Sequence, residues 1–168
     1  MRKTAAVIVC FCLAVAALAQ GQAGKTSQEA SASSDLLKQF TRSAKIDGVV
    51  LNFVLLNNKT IELLFQGPSK YAMHARANQF TTFYVMGAPE KDVTLDTKFV
   101  VEQDGETING SSLNIKNFET GNVAKGERIN GIFQLEKKID ITHAFKIKGA
   151  HSTLEFKLSH AALKEMAN

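Results

Sequence analysis

The chain has no Trp and only two Cys, two Pro and two Tyr among its 168 residues, and each scarcity excludes something. Both cysteines, Cys10 and Cys12, lie within the first 19 residues. The rest of the chain therefore offers no disulfide scaffold, thiol nucleophile, Cys-based zinc site or CxxC redox motif. The scarcity of Pro, with 45% hydrophobic and 21% charged residues, excludes collagen-like, coiled-coil and wholly disordered chains. The excess of one charge is also small, a formal +4. Twenty Lys and Arg are interleaved with 16 Asp and Glu, which argues against a nucleic-acid partner. GxGxxG and GxxxxGK[ST] are missing, and no strand-then-long-helix unit recurs, so Rossmann and P-loop domains are excluded.

What is present begins with an export signal. Arg2 and Lys3 precede an apolar run over 5–18, and Ala17-Leu18-Ala19 supplies the small residues a signal peptidase requires. The run is too short for a bilayer core, which takes about 20 residues. Cys10 and Cys12 lie inside it rather than directly after the small residues, so lipidation is not expected. Cleavage after Ala19 would leave a secreted or periplasmic protein with no integral membrane span.

The segment 20–34 contains Gln, Ser, Ala and Gly but no large apolar residue, and reads as a flexible leader. A single domain over 35–168 follows. Ser34 or Asp35 is the expected cap of a short helix whose face is Leu36, Leu37, Phe40 and Ala44. After Gly48 the pattern is one of short strands. A strand over 49–56 is followed by a turn at Asn57-Asn58-Lys59, a hairpin partner over 60–65 and a break at Gly67-Pro68. Further strands are expected over 80–86, 98–103, 107–115, 129–135, 144–147 and 153–158. Asp104-Gly105 is a strong two-residue hairpin signal. Leu154, Phe156 and Leu158 alternate with Glu155 and Lys157, which marks a strand buried on one face. Residues 161–166 form a closing helical turn. Short strands without long helices predict an antiparallel sandwich or small barrel.

Chemistry is harder to find. His74, His143, His151 and His160 stand at no metal-ligand spacing of the HxH or HExxH kind. His143 and His151 bracket a predicted hairpin. Met73-His74, with Met86 beyond, supplies thioether and imidazole of the kind that suits Cu(I). Both sets are sparse, and solvated loop histidines and core methionine are the simpler readings. Glu102, Asp104 and Glu106 surround a turn without calcium-loop spacing, and Asp92 and Asp96 flank Thr94 in a loop. Lys146, Lys148 and Lys157 occupy outward positions of adjacent predicted strands. Edge protection explains them more simply than contact with an anionic polymer or membrane headgroups. Asn58-Lys59-Thr60 and Asn109-Gly110-Ser111 are glycosylation sequons, meaningful only in a host that glycosylates secreted proteins. No residue is assigned a catalytic, cofactor-binding or metal role.

The stretch Gly126-Glu127-Arg128-Ile129-Asn130-Gly131-Ile132-Phe133 has the form Gly-Glu-x-x-x-Gly ahead of a strand with a terminal Phe, and the Phe156 strand follows. On that motif the segment 109–158 resembles secreted bacterial immunoglobulin-like β-sandwich domains of unknown function. It departs from them in lacking a Cys…Trp…Cys core and a corner Tyr. Gly126 and Gly131 are expected at backbone bends, with Ile129, Phe133 and Leu135 in the core. The expected molecule is an all-β, antiparallel, immunoglobulin-like β-sandwich with a short N-terminal helix. Its expected role is non-catalytic, binding a protein or envelope component with no cofactor. The alternative is a periplasmic small-ligand or metal carrier, which requires a wide interior or converging His and Met side chains.

Overall fold

The computed structural model describes residues 27–167. The expected signal at 1–19 and the first part of the expected leader, 20–26, lie outside them. Helix α1 (Ser27–Gln39) starts well ahead of the cap expected at Ser34 or Asp35, so 27–34, expected as leader, is helical. The composition permits this, because no Gly or Pro interrupts a stretch rich in Ala, Gln and Ser. The helix ends at Phe40, whose fully buried ring begins the core.

Ala44 does not continue the helical face. Strand β1 (Thr41–Ile46) pairs antiparallel with β2 (Val49–Leu55) through Asp47-Gly48. Both turn residues have positive φ, 49° and 87°, the conformation of a two-residue hairpin whose twist matches its strands. The turn overrides the helical spacing that precedes it.

The hairpin partner expected over 60–65 is instead helix α2 (Asn58–Leu64). Asn57 is its N-cap: its side chain accepts the N–H groups of Lys59 and Thr60, while Thr60 Oγ1 accepts from the Asn57 N–H. This reciprocal arrangement satisfies backbone donors that a turn would leave open. Ile61, Leu64 and Phe65 then share one face, at helical spacing. Gly67-Pro68 opens helix α3 (Gly67–Gln79) rather than ending a ladder, since Pro in a first turn lacks an N–H that has no intrahelical partner there.

The remaining elements are β3 (Thr82–Gly87), β4 (Val93–Leu95), β5 (Val100–Gln103), β6 (Glu106–Lys116), β7 (Gly121–Val123), β8 (Ile129–Leu135), β9 (Phe145–Lys148), β10 (Thr153–Phe156) and α4 (His160–Ala167). Asp104 and Gly105 form the expected hairpin turn between β5 and β6, with φ of 50° and 83°. Every strand pairing is antiparallel, so the fold is mostly antiparallel β. Eight strands form one sheet in the order β1-β2-β3-β8-β6-β5-β9-β10, and β4 pairs with β7 alone. The large sheet curls until its end strands, β1 and β10, come into contact, a nearly closed barrel. Side chains span this seam. Ser152 Oγ donates to the Lys45 carbonyl at 3.1 Å, and the Arg42 guanidinium donates to the Lys157 carbonyl while lying 5.6 Å from the Phe156 ring centre.

Phenylalanine fills the interior. Phe53, Phe83, Phe99, Phe118, Phe133, Phe145 and Phe156 are all buried, with Phe145 stacked on Phe156 at 5.0 Å and Phe83 on Phe133 at 5.9 Å. Two glycines make room for the rings: a Cβ on Gly110 would lie 2.2 Å from Phe133, and one on Gly131 would lie 2.0 Å from Phe118. Gly131 therefore sits mid-strand as space for a ring, not at a bend. Gly126 does turn the chain, with φ of 77°.

Candidate interaction surface

Alternation along the strands sends one set of side chains inward to the Phe core and the other outward. Ladder register aligns the outward set in rows. One row runs Thr41, Val54, Tyr84, Ile132, Leu113. Helices α2 and α3 cover its middle, burying Leu56, Ile61 and Ile132 against Leu64, Phe65, Met73 and Ala77. Phe65 meets Tyr84 edge-on at 5.5 Å. Burial pushes the Tyr84 hydroxyl pKa upward, and the Arg128 guanidinium opposes that shift.

The next row runs Ser43, Asn52, Met86, Asn130, Lys116, and beyond it lie Lys45, Val50 and, by alternation, Arg128. This half of the outer face has large apolar side chains in solvent: Ile115 is 58% exposed, Val50 48% and Leu113 37%. Ile115 owes its position to a bulge in β6, where the register with β8 shifts between Asn114 and Lys116. Asn117 follows in a left-handed conformation (φ 54°), and Asn114 Oδ1 accepts the Phe118 N–H at 3.0 Å. The bulge thus drives Phe118 into the core and leaves Ile115 outside, the re-aiming of side chains that bulges perform.

The charges here are of one sign. Lys45, Lys116 and Arg128 are exposed and form no salt bridge among the described residues, and no Asp or Glu occupies an outward position in these rows.

The candidate residues singled out from sequence for their chemistry are placed elsewhere, except Met86. Met73 packs beneath α3 while its neighbour His74 points to Glu62, so the two do not converge with Met86. Glu62 accepts hydrogen bonds from Lys70 and His74, which hold its carboxyl below the ordinary value. His143 precedes β9 and His151 follows it, so the whole strand separates them. His143 Nδ1 stands 3.6 Å from Asp104 and 3.9 Å from Asp140, all exposed to solvent. Thr142 donates from its hydroxyl and its N–H to Asp140 and lowers that carboxyl's pKa. His160 opens α4. Among the described residues no three His, Cys, Asp or Glu side chains are grouped to hold a metal.

The basic stripe expected from Lys146, Lys148 and Lys157 is largely compensated. Lys148 Nζ lies 2.5 Å from Glu102, and Lys146 stands opposite both Glu102 and Glu155 in the ladders. Asp92 and Asp96 accept loop N–H groups from Lys125 and Lys98, as turn carboxylates do. An open depression of about 360 Å³ at the β5–β6 turn is lined by Glu102, Asp104, Lys146 and Glu155, of mixed sign. Lys45 and Lys116 went unread in the sequence because a lysine's face depends on register. The Asp47-Gly48 turn was the signal that sets Lys45 opposite Val50.

Comparison with family models, curated proteins and solved structures finds no match to the chain.

Proposed function

We propose that the protein is a secreted or periplasmic, non-catalytic binding module that engages a protein or envelope component through the half of its outer sheet face that α2 and α3 leave uncovered. The observation that carries this reading is Ile115, held in solvent by a bulge beside cations that have no ionic partner among the described residues. Ile115 is not alone there: Leu113, two residues away on the same strand, is also exposed, and neighbouring exposed aliphatic side chains of this kind support a contact surface. Export rests on the residue pattern over 1–19. The immunoglobulin-like affiliation, which agrees with an extracytoplasmic role, rests on the Gly126-to-Phe133 motif. No helix among the described residues is long and apolar enough to cross a membrane. The carrier alternative has less support, because Phe rings fill the interior and Met73 and His74 face different neighbours.

The test is capture from the native envelope by the immobilised exported protein. Leu113→Asn/Ile115→Asn, both at exposed positions, should lose the captured component and keep the melting temperature. Unchanged capture by this variant contradicts the assignment of the face. Intact mass of the exported protein tests the rest of the reading: Gln20 should be its first residue, and a retained Met1 would contradict processing.

A further inference from the structure

Resting on the proposed binding role of the outer face, we infer that its partner is an anionic lipid surface. Lys45, Lys116 and Arg128 face outward, exposed and without ionic partners among the described residues, and no carboxylate shares their rows. Such a face attracts negative charge and gains most where that charge is dense and planar. Val50, Leu113 and Ile115 stand among the cations with large exposed aliphatic surface. Aliphatic side chains flanked by Lys and Arg are the pairing that interfacial binding uses, with the apolar groups entering the headgroup boundary and the cations meeting phosphate.

An acidic peptide fits less well. An extended acidic peptide takes a free sheet edge or a groove. Here the end strands β1 and β10 close on each other, with Ser152 and Arg42 bridging the seam. The open depressions at the β5–β6 turn and beside β4 and β7 are lined by other residues. Cations and aliphatic side chains spread over the outer side of several neighbouring strands suit a broad surface better than a threaded segment.

The test is co-sedimentation of the exported protein with vesicles of phosphatidylcholine alone or mixed with phosphatidylglycerol. The protein should pellet with the mixed vesicles at low salt, release at high salt, and stay in solution with phosphatidylcholine. Lys45→Gln/Lys116→Gln/Arg128→Gln should weaken binding by about fivefold per residue, or about a hundredfold together. Leu113→Asn/Ile115→Asn should weaken it about tenfold or more. No binding to mixed vesicles, equal binding to phosphatidylcholine, or full binding by the triple variant overturns the inference. If vesicle binding fails while envelope capture still depends on Leu113 and Ile115, the lipid assignment falls and the binding role stands. If both fail, both readings fall.

Discussion

The ring of Phe118 occupies the space that a side chain on Gly131 would need: a Cβ there would lie 2.0 Å from Cδ1 of the ring. Phe118 is fully buried and stacks on Phe99 at 6.2 Å, so it has no room to retreat. Gly131→Ala should destabilise the protein by about 3 kcal/mol, the upper end of ordinary overpacking. Phe118→Ala should cost about 3–5 kcal/mol through the cavity it leaves. Because the two changes share one space, the double variant should cost less than their sum, as read from urea midpoints. Additive losses would show that the ring and the glycine are not coupled.

The cap of α2 makes a second prediction. Thr60 is fully buried, donates from Oγ1 to the Leu55 carbonyl at 2.9 Å and accepts from the Asn57 N–H. Thr60→Val should cost about 1–3 kcal/mol, since it strands the buried Leu55 carbonyl and the half-buried Asn57 N–H. Asn57→Ala should cost about 1 kcal/mol. Chemical denaturation measures both, and a neutral Thr60→Val would mean that α2 frays in solution.

Much of the sheet was legible in the sequence because its signals are local. Aromatic and β-branched runs mark β2, β3 and β8, and Asp104-Gly105 marks the β5–β6 turn. Helices α2 and α3 were not legible, because Asn57-Asn58 and Gly67-Pro68 suit turns and helix starts equally, whereas α1 and the closing helix were expected. Ile61, Leu64 and Phe65 also look like strand residues until the capping bonds fix their spacing. Spacing misled at Ala44, where the helical interval set by Leu36, Leu37 and Phe40 runs on past the end of α1 into β1. The outer face was least legible. Ile115 is exposed because Phe118 finds its space over Gly131 on another strand, and Lys45 shares a face with Lys116 only through the order of the sheet.

Glu62 carries a pH prediction. Hydrogen bonds from Lys70 and His74 hold its carboxyl below the ordinary value of 4.5. A depressed carboxylate adds stability that is fully present above its ordinary pKa and is lost as pH falls through the depressed one. In carbon-detected NMR titration the Glu62 midpoint should rise toward 4.5 in Lys70→Met/His74→Gln. A midpoint that does not move would show that these contacts do not persist in solution.

The Phe interior should dominate stability. Phe133 and Phe156 are both fully buried and each packs against Phe83. Truncating either to Ala should cost about 3–5 kcal/mol. Calorimetry that finds less than about 1 kcal/mol for either would place that ring outside a close-packed core.

The most direct measurement of the central claim is an environment-sensitive fluorophore on the outer face. Once residues 1–19 are removed the chain has no cysteine, so Ile115→Cys provides a single attachment point at an exposed position. Lys146→Cys, outward on β9 and away from the face, is the control. On mixing with the native envelope fraction, the label at position 115 should shift to the blue while that at 146 should not. An unchanged label at 115, or equal shifts at both positions, would contradict the assignment of this face as the binding surface.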